Sequence, residues 1–490
     1  MKTERTISLL WPGRLWAPAA CPRRQEEPGT GQPGRQLAPN VGHANPLGPS
    51  SGVTRMIRTE LGYGHGAESG ARLVHGDALD VAQALALEGI AKRVDLVYID
   101  PPFASQAEYM HEARLDGPAD GRVVRAPAYD DRWFGGPGAY LEMLAPRLEA
   151  LVRLLAPTGT VWVHVDWRAS HLVRLLLDEI MGPEAFVNEI VWRRAPNLGR
   201  QAASHQFGRT LDTIVVYGGP NARIVPPTRL EPIEPSTVRW DDEGRPFTSA
   251  PRGDYTDSSI ERLAKEGRVH RTATGRVYIK YFLVKNPAGA WCRERRVDAL
   301  WTDVPPLRHA RIGERTGFPT QKPRALLDRI VACASPPGGL VVDLFAGSGT
   351  TGESAHALGR RFIIGDASAL AMATARARLL RAGVPLFVDT CVGSSTPALP
   401  IGEVPEVTVD RGQDRLRVEL RRPLEPLAWA IDTDFEEGHP FRSGWHAERV
   451  PGVRPQPAEH VARIDCVARR VAVRVWYDDG RVSTRLVEAS

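Results

Sequence analysis

The sequence predicts an α/β protein. Its centre is a doubly wound, mainly parallel sheet with an inserted region between its two halves, followed by a small C-terminal β-rich domain. Three observations lead there. Apolar runs alternate with amphipathic stretches from about residue 70 to 190 and again from about 320 to 385, as parallel strands joined by crossover helices do. The runs are apolar throughout, as strands covered on both faces must be. Several end abruptly in an acidic residue or a glycine turn, at the carboxyl end where open α/β sheets place their ligand crevices.

Taken in order, residues 1–55 are rich in Pro, Gly and Arg without periodicity and read as a disordered tail. Residues 56–186 form the first half of the sheet. Ala71 to His75 is a strand ending at Gly76-Asp77, Val81 to Ile90 is helical, and Asp95 to Ile99 is a buried strand. Residues 104–137 are polar, long and Gly-rich, the composition of a mobile loop beside a site. Leu141, Leu144, Leu148, Leu151 and Leu155 recur at helical spacing over Tyr140 to Leu155. A turn at Gly159 leads into the strand Thr160 to Val165, and the helix Ser170 to Met181 is stopped by Gly182-Pro183. Residues 187–315 lose the alternation and read as the insert. Residues 316–385 resume it, with the helix Arg324 to Ala334, the strand Leu340 to Leu344, a glycine turn and a helix through Leu358, the strand Phe362 to Ile364 and the helix Ala369 to Arg381. Residues 386–490 carry prolines and short β-like runs such as Val471 to Tyr477.

Composition sets bounds on function. A chain of 490 residues suggests about two or three domains. Hydrophobic and charged fractions of 42% and 25% are those of a globular protein. No apolar run approaches the roughly 18 residues of a membrane span, and the first residues hold too short an apolar stretch for a signal peptide, so no membrane partner is expected. The five cysteines, Cys21, Cys292, Cys333, Cys391 and Cys466, are scattered without a Cys-x-x-Cys pair. Neither a disulfide framework nor a zinc site is indicated, and a cytoplasmic location is expected. The net charge is +5. Residues 187–300 hold 19 Lys and Arg against 13 Asp and Glu, a footprint for a phosphate backbone, with a solvated insert as the lesser alternative. Residues 384–490 reverse the balance, with 17 acidic against 14 basic residues, which argues against that region as the main surface for a polyanionic partner.

Two motifs carry chemistry. In LVYIDPPF the strand stops at Asp100-Pro101-Pro102-Phe103. The prolines fix φ and remove two backbone donors, leaving nearby carbonyls free to accept. An acceptor pair beside a flat ring suits a planar base with an exocyclic amine. Taken alone, the four residues read as well as a stiff turn. In VVDLFAGSGTT, Asp343 precedes Phe345, Gly347, Gly349 and Thr350 at a strand–helix turn, where glycine permits close approach to a ligand. The spacing is not the full dinucleotide fingerprint, and no P-loop lysine is present. An adenosyl ligand with an amino-acid tail therefore fits better than NAD or ATP. Asp366, one βα unit on, is placed to hold ribose hydroxyls or to cap the next helix. His164 and Asp166 lack a third nearby ligand, and no metal site is expected.

With these motifs in this order, the chain resembles the amino-directed DNA methyltransferases, in the permuted (beta) class where the catalytic motif precedes the cofactor loop. GFPTQKP (Gly317 to Pro323), NEIVWRR and VHVDWRASH also resemble family stretches, notably type III modification subunits. The resemblance covers about residues 70–385. It implies a Rossmann-like methyltransferase sheet with a target-recognition insert, S-adenosyl-L-methionine as cofactor, and methyl transfer to N6 of an adenine flipped out of double-stranded DNA. Cytosine N4 and an inactive DNA-binding or specificity subunit stand as alternatives. A homodimer and a restriction subunit are partners it leaves open. In the roles so implied, Asp100 and the Pro101 carbonyl accept from the amine, Pro102 stiffens the turn, and Phe103, where the family often has Tyr, stacks on the base. Asp343, Phe345, Gly347, Gly349 and Thr350 surround the methionine end, and Asp366 takes the ribose. Asp77 lies near the adenine or caps a helix, while Thr320 and Lys322 precede the loop, with Lys322 on the cofactor carboxylate or merely at the surface.

Overall fold

The computed structural model describes residues 54–61, 70–103, 105, 107–115, 122–196, 205, 207–272, 274–393, 400–423, 426–449 and 460–489. The expected N-terminal tail lies almost wholly outside them. The chain forms two compact units, one with residues up to Ile224 and from Leu300 onward, the other Val225–Ala299.

The first unit is built on an eleven-stranded sheet. Its first half contains β1 (Arg55–Leu61), β2 (Ala71–His75), α1 (Ala78–Leu85) and β3 (Val94–Ile99). A hairpin of β4 (Glu108–Leu115) and β5 (Arg122–Asp130) follows, then α2 (Gly136–Val152), β6 (Leu155–Val165), α3 (Ser170–Met181), β7 (Phe186–Arg193) and β8 (Leu211–Gly218). The second half contains β9 (Leu300–Trp301), α4 (Arg324–Ala334), β10 (Leu340–Asp343), α5 (Thr350–Ala357), β11 (Arg361–Asp366), α6 (Ala369–Arg381), β12 (Phe387–Val392) and β13 (Phe441–Arg442). The strand order is β9-β7-β8-β6-β3-β10-β11-β2-β12-β1-β13. From β6 through β12 every neighbouring pair is parallel. Mainly apolar strands such as β3 and β10 lie under helices whose leucines, Leu144, Leu148 and Leu176 among them, are fully buried. At roughly 1.5–3 kcal/mol per buried side chain, this layer is the main stabilising term.

Chain direction places the site. From β3 the chain runs outward to β6, and from β10 it runs the other way to β11. The crossovers diverge at β3 and β10, so a crevice opens beyond their carboxyl ends.

Several expectations need correction. Residues 104–137 are not simply a loop, because β4 and β5 pair antiparallel across them; their β-branched and aromatic residues outweigh the glycines between. The helix expected from Tyr140 to Leu155 begins at Gly136, with Pro137 preset for a first turn, and Leu155 opens β6. The insert is narrower than residues 187–315. β7 and β8 pair antiparallel within the main sheet, and only Val225–Ala299 is separate. The antiparallel pairing of β7 and β8, in place of a parallel pair, interrupts the alternation. Within 187–224 lie five of the basic residues against two acidic ones, leaving 14 against 11 in the separate unit. That unit packs antiparallel strands, including Pro246–Pro251 and Val277–Lys285, with the helix Asp257–Lys265 over a core of Ile260, Leu263 and Ile279.

The C-terminal region is β-rich, with a three-stranded and a four-stranded sheet, but it is not a detached domain. Its segment β13 pairs with β1 at the edge of the main sheet. Arg376 of α6 donates to both Glu60 carboxylate oxygens at 2.9 Å and to Ser443 Oγ at 3.0 Å. Burial pushes the Glu60 carboxyl up, and the Arg376 charge and hydrogen bonds overcome it, for a net lowering. Removing one member of so buried a pair costs about 3–5 kcal/mol.

Candidate active site

Asp100, Asp343 and Asp366 stand at or just beyond the carboxyl ends of three adjacent parallel strands, β3, β10 and β11. They line one open cleft with the segment Phe318–Lys322 and the glycine loop. Its empty volume, mouth included, is about 800 Å³, enough for a cofactor-sized ligand.

On the β3 side, one carboxylate oxygen of Asp100, Oδ2, accepts from Lys322 Nζ. The other, Oδ1, is buried and has no hydrogen-bond partner among the described residues. Pro101, Pro102 and Phe103 continue the wall. The Phe103 ring stacks on His164 with centroids 6.1 Å apart and an interplanar angle of 21°. His164 is fully buried. Its Nδ1 lies 3.0 Å from Tyr98 Oη and its Nε2 lies 3.2 Å from Asp212 Oδ2. Burial raises the Asp212 carboxyl, but His164, Lys322 and Arg194 outweigh it and hold the group below the usual range. His164 thus backs the aromatic wall, while Asp166 is taken up by Arg168, whose backbone N–H donates to it at 2.8 Å. Asp131 fixes the turn from below: Phe103 N and Ser105 N donate to its Oδ2 at 3.2 and 2.8 Å, and Trp133 Nε1 to Oδ1 at 2.9 Å.

On the β10 side, Asp343 staples the glycine loop. Phe345 N donates to its Oδ1 at 3.0 Å and Thr351 Oγ1 to its Oδ2 at 2.6 Å. Burial, reinforced by the charges of Asp100 and Asp366 against these two bonds, pushes its carboxyl up to about 7. Gly347 (φ 49°) and Gly349 (φ 78°) hold left-handed backbone. A Cβ on Gly349 would fall 2.8 Å from Ala375 Cβ, and one on Gly347 3.2 Å from the Phe318 ring, so both positions require glycine. Gly347 N donates to Asp366 Oδ2 at 2.9 Å and Ser368 N to Oδ1 at 2.8 Å. Burial raises the Asp366 carboxyl against those bonds.

The structure brings together in the cleft every expected site residue except Asp77 and Gly349, the latter turning the loop between the lining residues Ser348 and Thr350. Asp77 caps α1, accepting from Leu79 N at 2.9 Å, and pairs with Arg147 at 2.5 Å, so the helix-cap alternative describes it. The cap of α6 is Ser368, which accepts from Ala371 N, leaving Asp366 at the cleft wall. Thr350 ties elements together, donating to the Lys322 carbonyl at 3.3 Å and accepting from Arg378 at 2.8 Å. Lys322 is buried on Asp100 and is not a surface lysine. Sequence reading missed Tyr98, Asp131, Gln321 and Ser368. Gln321 accepts from Thr316 N and Oγ1 and donates to Glu314 O. It sits inside a motif already singled out, whereas nothing local marks Asp131 as facing a turn 28 residues earlier.

The cleft thus combines a glycine turn with a carboxylate, Asp100, one of whose oxygens is buried and without a hydrogen-bond partner among the described residues. The chain belongs to a family of DNA methylases, whose model matches residues 94–375. It is 28% identical to the type II methyltransferase M.EcaI of Enterobacter cloacae, over 64% of this chain and 70% of that one. It is 25% identical to the StyLTI Mod subunit, a type III restriction-modification protein of Salmonella typhimurium, over 58% of this chain and about half (49%) of that one. A shorter stretch, 19% of this chain and 30% of the other, is 43% identical to the DNA adenine methyltransferase YhdJ of Escherichia coli. Among solved structures, the M1.HpyAVI–SAM complex superposes with a TM-score of 0.34 at 18% identity, covering 63% of this chain and 98% of that one.

Proposed function

We propose that this protein methylates the N6 amine of adenine in double-stranded DNA, with S-adenosyl-L-methionine as donor. The observation that carries the reading is Asp100 Oδ1, a buried acceptor without a partner among the described residues, on a residue that lines the cleft together with Phe103 and the glycine loop. An unpaired buried acceptor is costly, and an exocyclic amine supplies the missing donor. When bound, S-adenosyl-L-methionine supplies an activated methyl group on a sulfonium. The glycine loop from Phe345 to Gly349 and Asp366 would hold it. The target amine is unreachable within stacked DNA, so the base enters the cleft extruded. Asp100 and the Pro101 carbonyl accept its two hydrogens, which turns the nitrogen lone pair toward the donor. Phe103, backed by His164, gives the base a face to stack on. No side chain acts as a nucleophile, and catalysis rests on positioning and electrostatics.

DNA is met at the mouth. In parallel register Ile99 faces Val163, and Trp167 follows in the turn between β6 and α3, past the level of Asp100. It is 46% exposed, and Arg209 and Arg168 lie 4.0 and 4.8 Å from its ring. An aromatic platform flanked by guanidinium groups suits unpaired bases and phosphates. Adenine is favoured by Asp before Pro-Pro and by the adenine methyltransferase relative; a restriction partner is inferred from the Mod subunit relative. Incubation with duplex DNA and methyl-labelled donor, followed by nucleoside mass spectrometry, tests the reading. N6-methyladenine is expected. N4-methylcytosine would correct the base, and no modified base across varied DNA would overturn the reading.

A further inference from the structure

We infer that Lys322 is a positioning residue for Asp100, dividing the carboxylate so that one oxygen is held and the other is kept for the target amine; the inference rests on the methyltransferase reading above. An ammonium has three donors, and two of them make hydrogen bonds within the site. One goes to Asp100 Oδ2, a second reaches the Thr320 carbonyl at 3.3 Å, and the face of Phe103 lies 5.0 Å from Nζ, within cation–π range. The carboxylate on the ammonium is that of Asp100, where the sequence suggested a cofactor carboxylate. Lys322 is 9% exposed, and so buried a charge needs its counter-ion.

The segment is built to hold it there. Thr320 keeps φ at 60° without being glycine, a strained conformation of the kind found at functional sites. That backbone turn directs its carbonyl to Nζ. Gln321 locks the segment through Thr316 and Glu314, and the Lys322 carbonyl is itself tied by Thr350. The Asp100 carboxylate cannot rotate freely about its axis while Oδ2 is clamped. Oδ1 is left as the buried acceptor. Lys322 also offsets negative charge where Asp343 and Asp366 share the cleft.

The test compares the full-length protein with Lys322→Met, Lys322→Arg, Asp100→Asn and the double variant Lys322→Met with Asp100→Asn, measuring donor affinity by calorimetry and kcat and KM on duplex DNA. A catalytic group released from its orientation loses about 100-fold in rate. Lys322→Met should lose about that much in kcat with donor affinity and KM unchanged. Lys322→Arg, which keeps the charge and guards against a misfolded Met variant, should recover part of it. The double variant should be no slower than Asp100→Asn alone. Weakened donor binding with intact kcat would make Lys322 a cofactor ligand and overturn the inference, as would additive losses in the double variant. Transfer by the wild type that Lys322→Met fully retains overturns the inference alone; no transfer by the wild type overturns the methyltransferase reading and the inference with it.

Discussion

Replacing Asp131 by Ala removes three hydrogen bonds at once, from Phe103 N, Ser105 N and Trp133 Nε1. Bonds to a charged acceptor contribute about 1.5–3 kcal/mol each. They are not additive around one carboxylate, and the partly exposed Phe103 amide regains water, so the expected loss is about 3–4 kcal/mol. Asp131→Asn keeps one acceptor oxygen and should lose about 1–2 kcal/mol. Both bonds at Oδ2 hold the turn that presents Asp100 and Phe103, so kcat should fall in the order wild type, Asn, Ala while donor affinity stays constant. Urea denaturation gives the stability, and labelled-methyl transfer gives the rate. An Ala variant within about 0.5 kcal/mol of the wild type and equally active, as a surface substitution would be, would refute the claim that Asp131 supports the catalytic turn.

Gly349→Ala combines left-handed strain of about 1–2 kcal/mol with a Cβ 2.8 Å from Ala375. It should lower stability by about 2–4 kcal/mol and abolish donor binding; calorimetry showing full affinity would contradict the cradle. Asp343, with its carboxyl at about 7 in the folded state, lies above the ordinary Asp value of about 3.9. The folded protein therefore holds the extra proton between those values. Stability should fall as pH rises through that window by up to about 1.4 kcal/mol per unit and level off above it. Asp343→Asn should lose this slope in urea titrations at successive pH values, and an unchanged slope would sink the assignment. Asp77→Ala should cost about 1–2 kcal/mol through the lost cap and ion pair while leaving donor affinity intact; a large loss of affinity would return Asp77 to the cofactor site.

What was legible in the sequence was local. Ala71 to His75, Ser170 to Met181, Arg324 to Ala334 and Ala369 to Arg381 coincide with observed elements, because strand runs, glycine stops and helical periodicity are encoded within a few residues. DPPF and the glycine loop were visible for the same reason: each is a strand end with unusual backbone demands. What escaped depends on distant partners. The β7–β8 pair looked irregular because it joins the sheet antiparallel, and the binding of β13 to β1 spans the chain. Lys322 was read toward the cofactor because its neighbours in sequence are there, whereas the fold places Asp100, 222 residues earlier, on its ammonium. Asp77 shows the converse: an acidic residue after a strand satisfied a motif, while the adjacent helix start decided its role.

The central claim is that Asp100 orients the substrate amine while a separate cradle holds the donor. Asp100→Ala, assayed in parallel for donor binding by calorimetry and for methyl transfer to duplex DNA, tests it most directly. Transfer should be abolished and donor affinity retained. Loss of both, with the protein folded, would make Asp100 a structural member of the cradle, and retained transfer would contradict the account outright.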